Sequence, residues 1–176
     1  MNKKEKIMAL REASKVERCH TILHHGSYTN GQHSYDVANL ILTLHPSPSL
    51  NLIKVALWHD CAERWSGDVP SPVKSHEPDL AEALSRVEAR VEDELGVRVA
   101  LTEEERRWLH AADRVELWLW AVEQVEMGNK YAMEVRDVLE DELWHHADWL
   151  PIECKTFVQD YQWKPCSDLT AQWRRG

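Results

Sequence analysis

Apolar residues recur at helical spacing along most of this chain, and the places where the spacing breaks divide it into segments. Ile7, Leu10, Ala13 and Val16 mark one face of a first helix from Lys3 to about Leu23, followed by a loop through Gly26, Asn30 and Gly31. His33 opens a second helix, with Val37, Leu40, Ile41 and Leu44 at i, i+3, i+4 and i+7. Pro46 and Pro48 end it, since proline lacks the N–H that a helix needs. Ser49 can cap a third helix that reaches His59 and Asp60 in its last turns, before Gly67 and Pro70 force a turn-rich segment. From Pro78 to Leu95 one stripe carries Leu80, Leu84, Val87, Val91 and Leu95, with Gly96 placed as the C-cap. Thr102 and Glu105 form a capping box for a helix bearing Trp108, Leu109, Ala112, Leu117 and Trp120. Tyr131 to Trp149 and Ile152 to Tyr161 read as two more. No alternating strand pattern competes, so the expected fold is all-α, a single-domain bundle of about six or seven helices.

Two polar residues interrupt these apolar faces. His33 stands four residues before Val37 and shares its face, and Asp113 is flanked at i−4 by Leu109 and at i+4 by Leu117. A carboxylate on a core stripe needs a partner, because an unpaired buried charge is costly or loses its charge. His33, His59, Asp60 and Asp113 together offer imidazoles and carboxylates, a set that suits Zn, Mn, Fe or Co and leaves room for water or phosphate. Phosphate-ester hydrolysis is the chemistry such a site points to first. The plainer alternatives are a helix-end His59 with a solvated Asp60, a capping His33, and an Asp113 paired with Arg114 or Arg107.

Composition narrows the partners. With 176 residues, 43% hydrophobic and 29% charged, the chain has the length and make-up of one globular domain. A formal charge of −9 argues against coating a nucleic-acid polymer, which depends on clustered Lys and Arg, whereas a small phosphorylated substrate stays compatible. Cys19, Cys61, Cys154 and Cys166 follow neither zinc-ribbon nor disulfide-framework spacing, so they read as reduced thiols of a cytoplasmic protein. No apolar run is long enough for a membrane span, and no signal peptide is evident.

Residues 59 to 74 read His-Asp-Cys-Ala-Glu-Arg-Trp-Ser-Gly-Asp-Val-Pro-Ser-Pro-Val-Lys. With His33 before them and Asp113 after, they resemble the HD-domain phosphohydrolase superfamily, specifically its 5'-deoxynucleotidase-like branch, and among small relatives the phage deoxyadenosine triphosphohydrolases. The branch pattern is His, then His-Asp-x-x-Glu-x-x-x-Gly-Asp-x-Pro-x-Pro-x-Lys, then a later Asp. The chain matches it at His33, His59, Asp60, Glu63, Gly67, Asp68, Pro70, Pro72, Lys74 and Asp113. The resemblance spans roughly residues 14 to 150.

This resemblance implies that His33, His59, Asp60 and Asp113 ligate a divalent ion (Zn, Co, Mn or Mg), with room for a second ion near Glu63 and Asp68. Glu63 and Asp68 become the catalytic carboxylates that prepare water, although Asp68 could instead cap backbone amides in its loop. Arg18 and Lys74 are cations for the phosphates, and Arg can grip two oxygens at once. Cys19, Trp65 and Pro72 would line the sugar and base pocket. The branch often has Trp where this chain has Cys19, so discrimination against a 2'-hydroxyl is expected to be weaker. The implied reaction is hydrolysis of dATP to deoxyadenosine and triphosphate, in a homo-oligomer with a hexamer as the leading candidate. The alternative is a 5'-deoxynucleotidase releasing phosphate from dNMPs. A non-catalytic nucleotide-binding module and a di-iron HD oxygenase stand further back. The remaining tryptophans, Trp108, Trp118, Trp120, Trp144 and Trp149, read as core or subunit-interface anchors.

Overall fold

A computed structural model describes residues 1–145 and 147–161. Its helices are α1 (Lys3–Ala13), α2 (Asn30–Leu44), α3 (Leu50–Trp58), α4 (Glu63–Ser66), α5 (Ser71–His76), α6 (Pro78–Leu95), α7 (Glu103–Glu126), α8 (Met133–His145) and α9 (Ile152–Asp160). The fold is all-α. Seven of these helices have nine or more residues, and the sequence pattern had marked them; α4 and α5 are short pieces inside the segment read as turns. No helix among the described residues is long and apolar enough to cross a membrane. Cys166 falls outside the described residues, and Cys19, Cys61 and Cys154 are free thiols.

Three of these helices frame the site. Val37, Ala38 and Ile41 of α2, Leu52 and Ala56 of α3, and Ala111, Ala112 and Val115 of α7 are buried in one core. Leu139 and Leu143 of α8 and Cys154 and Val158 of α9 are buried in the same core. Trp108 and Trp118 are buried there, and Trp120 stacks on Tyr28 at 4.7 Å between ring centroids. The tryptophans of α7 are therefore packing residues.

The first helix is shorter than its apolar spacing suggests. It stops at Ala13, and Arg18 and Cys19, expected on a helix, lie in an arm that doubles back along the start of α2. Glu17 and Thr29 pair as an isolated antiparallel bridge, and Asn30 and Gly31 donate backbone hydrogen bonds to Val16 and Ser14. These long-range bonds replace the helical ones that residues 14 to 23 would otherwise make. Gly31 is needed at this crossing: a Cβ there would sit 2.9 Å from the Ser14 carbonyl oxygen. The helix start also differs, since Thr29 and Gln32 form a capping box and place His33 one turn inside α2 rather than at its first position.

Candidate metal and phosphate site

His33 is fully buried on the inner face of α2. His59 caps the C-terminal end of α3, where the chain turns through Asp60 before Glu63 opens α4, so Glu63 is presented by a new helix and not by a continuation of α3. Asp113 reaches in from the middle of α7. The plainer reading of Asp113 fails, because Arg114 forks onto Glu142 and Arg107 donates to the carbonyls of Trp149 and Leu150.

The Nε2 atoms of His33 and His59 face each other at 3.2 Å. Asp60 Oδ2 lies 3.2 Å from His59 Nε2 and 3.7 Å from His33 Nε2. Asp113 Oδ1 lies 2.9 Å from His33 Nε2 and 3.8 Å from His59 Nε2. Donor atoms sharing one ion at bond lengths of about 2.0–2.1 Å stand about 3.0 Å apart in an octahedron and about 3.4 Å apart in a tetrahedron. The five separations bracket those values. His33, His59 and Asp60 form the one group of three or more metal-type ligands found among the described residues, with ligand atoms all within 4.8 Å of one another. Asp113 joins it from the side of the two imidazoles.

The electrostatics of the four side chains agree with a site built for positive charge. Burial opposes a charge on either imidazole, yet hydrogen bonds to Asp113 and Glu116 raise His33, and Asp60 with Asp113 raises His59 well above the usual value. Burial likewise opposes the carboxylates, but the two histidines hold Asp113 far below the ordinary range, and His59 with Arg18 holds Asp60 low. A divalent cation satisfies the same carboxylates without two imidazoles having to share protons at 3.2 Å. The residues present therefore fit such an ion.

Around this cluster the arm supplies Arg18. Its Nη1 donates to Asp60 Oδ2 and, at 3.3 Å, to Asn30 Oδ1, while its Nε is buried and donates to no acceptor among the described residues. Asn30 Nδ2 donates to Glu63 Oε2 at 2.7 Å and to the Asp60 carbonyl at 3.4 Å. Glu63 is buried, and burial followed by the charge of Asp60 pushes its carboxyl up to about 7.

The other predicted residues are placed unevenly. Asp68 Oδ2 accepts the Cys19 N–H at 2.9 Å, an amide of the N-terminal arm and not of its own loop, and Cys19 stands in the left-handed region at φ 51°. Among the described residues, Glu63 and Asp68 fall in no group of three or more metal-type ligands. Burial pushes the Cys19 thiol up to about 12, so it stays protonated. Trp65 is exposed on α4 with the Arg64 guanidinium over its ring, and on α5 Pro72 is exposed and Lys74 half-buried. The cluster brings together none of these last three. Sequence reasoning missed Asn30, Tyr28 and Glu116. Glu116 could have been found, since it follows Asp113 by three residues and so shares its helix face.

A sequence model described as 5'-deoxynucleotidase YfbR-like matches residues 7–100, just over half of the chain. The chain belongs to the YfbR-like 5'-deoxynucleotidase family. This YfbR-like chain is 28% identical over 90 residues to a 5'-deoxynucleotidase of Vibrio vulnificus, a stretch covering 43% of the chain and 46% of the relative. It is 27% identical over 104 residues to a 5'-deoxynucleotidase of Yersinia pseudotuberculosis, covering 51% and 53%. The chain thus spans about half the length of the curated relatives it matches. Its fold is shared with an HD-domain phosphohydrolase of Listeria innocua (TM-score 0.74, 19% identity, 97% of this chain and 90% of that one). It is also shared with the cyanophage S-2L HD phosphohydrolase, described as bound to dA and one catalytic Zn2+ ion (TM-score 0.66, 22% identity, 90% and 92%).

Proposed function

We propose that this protein is a metal-dependent hydrolase that cleaves the 5' phosphate ester of 2'-deoxynucleotides. The observation that carries the reading is the convergence of His33 Nε2, His59 Nε2, Asp60 Oδ2 and Asp113 Oδ1 beside a half-buried Arg18 whose buried Nε has no acceptor among the described residues. The four side chains would hold the ion, and when bound it would supply an acidified water and draw charge from the phosphoryl oxygens.

The remaining chemistry belongs to the chain. Arg18 Nε would donate to a phosphoryl oxygen, where a charge-assisted bond gains strength as negative charge builds. Glu63 Oε2, steadied by Asn30, would accept the proton of the attacking water, its raised pKa making it a competent base near neutrality. Asp68 would act on the substrate through Cys19, whose backbone it fixes. Lys74 would add positive charge for the phosphate from α5, and Cys19, Trp65 and Pro72 would border the sugar and base.

The family match and its relatives, named 5'-deoxynucleotidases, favour dNMPs as substrate, with inorganic phosphate released. The second reading is a dATP triphosphohydrolase releasing deoxyadenosine and triphosphate. It is favoured by the fold shared over most of both chains with the dA-bound cyanophage protein. Both readings put the attack on the α-phosphorus, so one site serves either. Hydrolysis of dAMP and dATP in oxygen-18 water, with Zn, Co, Mn and Mg in turn, separates them. Label in inorganic phosphate from dAMP supports the first, and label in intact triphosphate from dATP supports the second. Release of dADP and labelled phosphate from dATP, with dAMP untouched, would overturn both. The homo-oligomer and the hexamer implied by the resemblance belong to the same proposal, and light scattering on the purified chain reads them.

A further inference from the structure

Both ring nitrogens of His33 are engaged by the same helix. Asp113 of α7 meets Nε2 at 2.9 Å, and Glu116, one turn further along α7, meets Nδ1 through Oε2. The same Glu116 oxygen accepts the Tyr28 hydroxyl, and the Tyr28 ring is stacked beneath Trp120. Glu116 is only 5% exposed, and both of these hydrogen bonds are buried. No lysine or arginine pairs with it among the described ion pairs, so a buried carboxylate is kept in place by a tyrosine and an imidazole. A charge so enclosed is expensive and is retained only where it has partners of this kind.

We propose that Glu116 is a positioning residue for the metal site, fixing His33 as the Nδ1–H tautomer and making its Nε2 a stronger donor to the ion than that of His59. The proposal rests on reading the His33, His59, Asp60 and Asp113 cluster as a metal site. A carboxylate at Nδ1 can only accept, so the opposite tautomer would set two lone pairs against each other and turn the Nε2 proton toward the ion. His59 is oriented differently. Its Nδ1 lies 2.9 Å from the Ala56 carbonyl oxygen, a neutral acceptor that fixes the same tautomer but withdraws less proton density. Partners of this outer kind set ring orientation and raise ligand basicity. Tyr28 holds Glu116 Oε2 from a second direction and ties it to the arm that carries Arg18, since the Arg18 N–H donates to the Tyr28 carbonyl at 2.8 Å.

The test compares the full chain with its Glu116→Gln variant, stripped by chelator and titrated with Co2+. Affinity is read by chelator competition and ligand field by visible absorption, well below the melting temperature. The expected result is an affinity about 10- to 100-fold lower in the variant, with a changed Co2+ spectrum. Equal affinity and an identical spectrum in a folded variant would overturn the proposal. A residue that merely packs would lower the melting temperature of the ion-free protein and leave the ion's affinity unchanged. Should the original chain bind neither Co2+ nor Zn2+, the metal reading itself fails and this inference falls with it. Should Glu116→Gln not fold, nitrogen-15 histidine NMR on the Zn-loaded original chain decides. His33 must then ligate through Nε2, and its Nδ1 proton must resonate downfield of that of His59. Ligation through Nδ1, or equal shifts for the two protons, would refute it.

Discussion

Glu63 shows how one environment sets both charge and role. Its neighbours disfavour ionisation, burial first and the Asp60 carboxylate second, while the Asn30 amide favours it. The raised value means that the base form fills as pH rises through about 7 in the ion-free cluster. A cation bound nearby stabilises the carboxylate and shifts that limb downward, so turnover should rise with pH along a limb at or below pH 7. Glu63→Gln keeps the Asn30 hydrogen bond and removes the base. Turnover should fall roughly 100-fold with nucleotide binding preserved, which steady-state kinetics and equilibrium dialysis check together. Cys154 gives a prediction away from the site. Burial pushes its thiol up to about 12, so the folded chain should carry no thiolate there at pH 8. Peptide mapping after iodoacetamide should find Cys154 unmodified in the native protein and modified in urea.

At the level of elements, the helices with long apolar stripes could be read directly, because burial against a common core imposes the period that a sequence displays. The N-terminal arm could not. Val16 continues the spacing of Ile7, Leu10 and Ala13, but the arm beyond Ala13 bonds instead to Tyr28, Asn30 and Gly31, and no local pattern encodes a pairing between residues 14 to 18 and 28 to 31. The metal-type ligands were legible because His33 and Asp113 break apolar faces; Asn30 was hidden in a loop-like composition and Glu116 looked like one more polar position of α7. The crossing of arm and helix predicts that Gly31→Ala, whose Cβ would meet Ser14 at 2.9–3.0 Å, destabilises the chain by about 1–3 kcal/mol. Calorimetry should show a drop of roughly 2–4 °C per kcal/mol. Since Arg18 is held by the same arm, the nucleotide KM should rise in that variant.

For the whole molecule, the site is a junction of distant parts of the chain. Ligands from α2, the end of α3 and α7 meet only when those helices share their core, so an ion that binds the cluster binds the native state alone. Saturation with Zn2+ or Co2+ at about 100 times its dissociation constant should add about 2.7 kcal/mol. That corresponds to a rise of roughly 5–10 °C in melting temperature for a chain of this size, reversed by chelator.

The same distances along the chain carry a kinetic consequence. Arg18 and Asp60 are 42 positions apart, His33 and Glu116 are 83, and Tyr28 and Glu116 are 88. Closing such long loops takes entropy that only a nearly complete core can offset, which places these contacts late on the route to the folded state. An ion captured there arrives after the rate-limiting step. In a denaturant chevron it should therefore leave the refolding limb where it is and slow the unfolding limb, so that the metal acts as a latch on a door already shut.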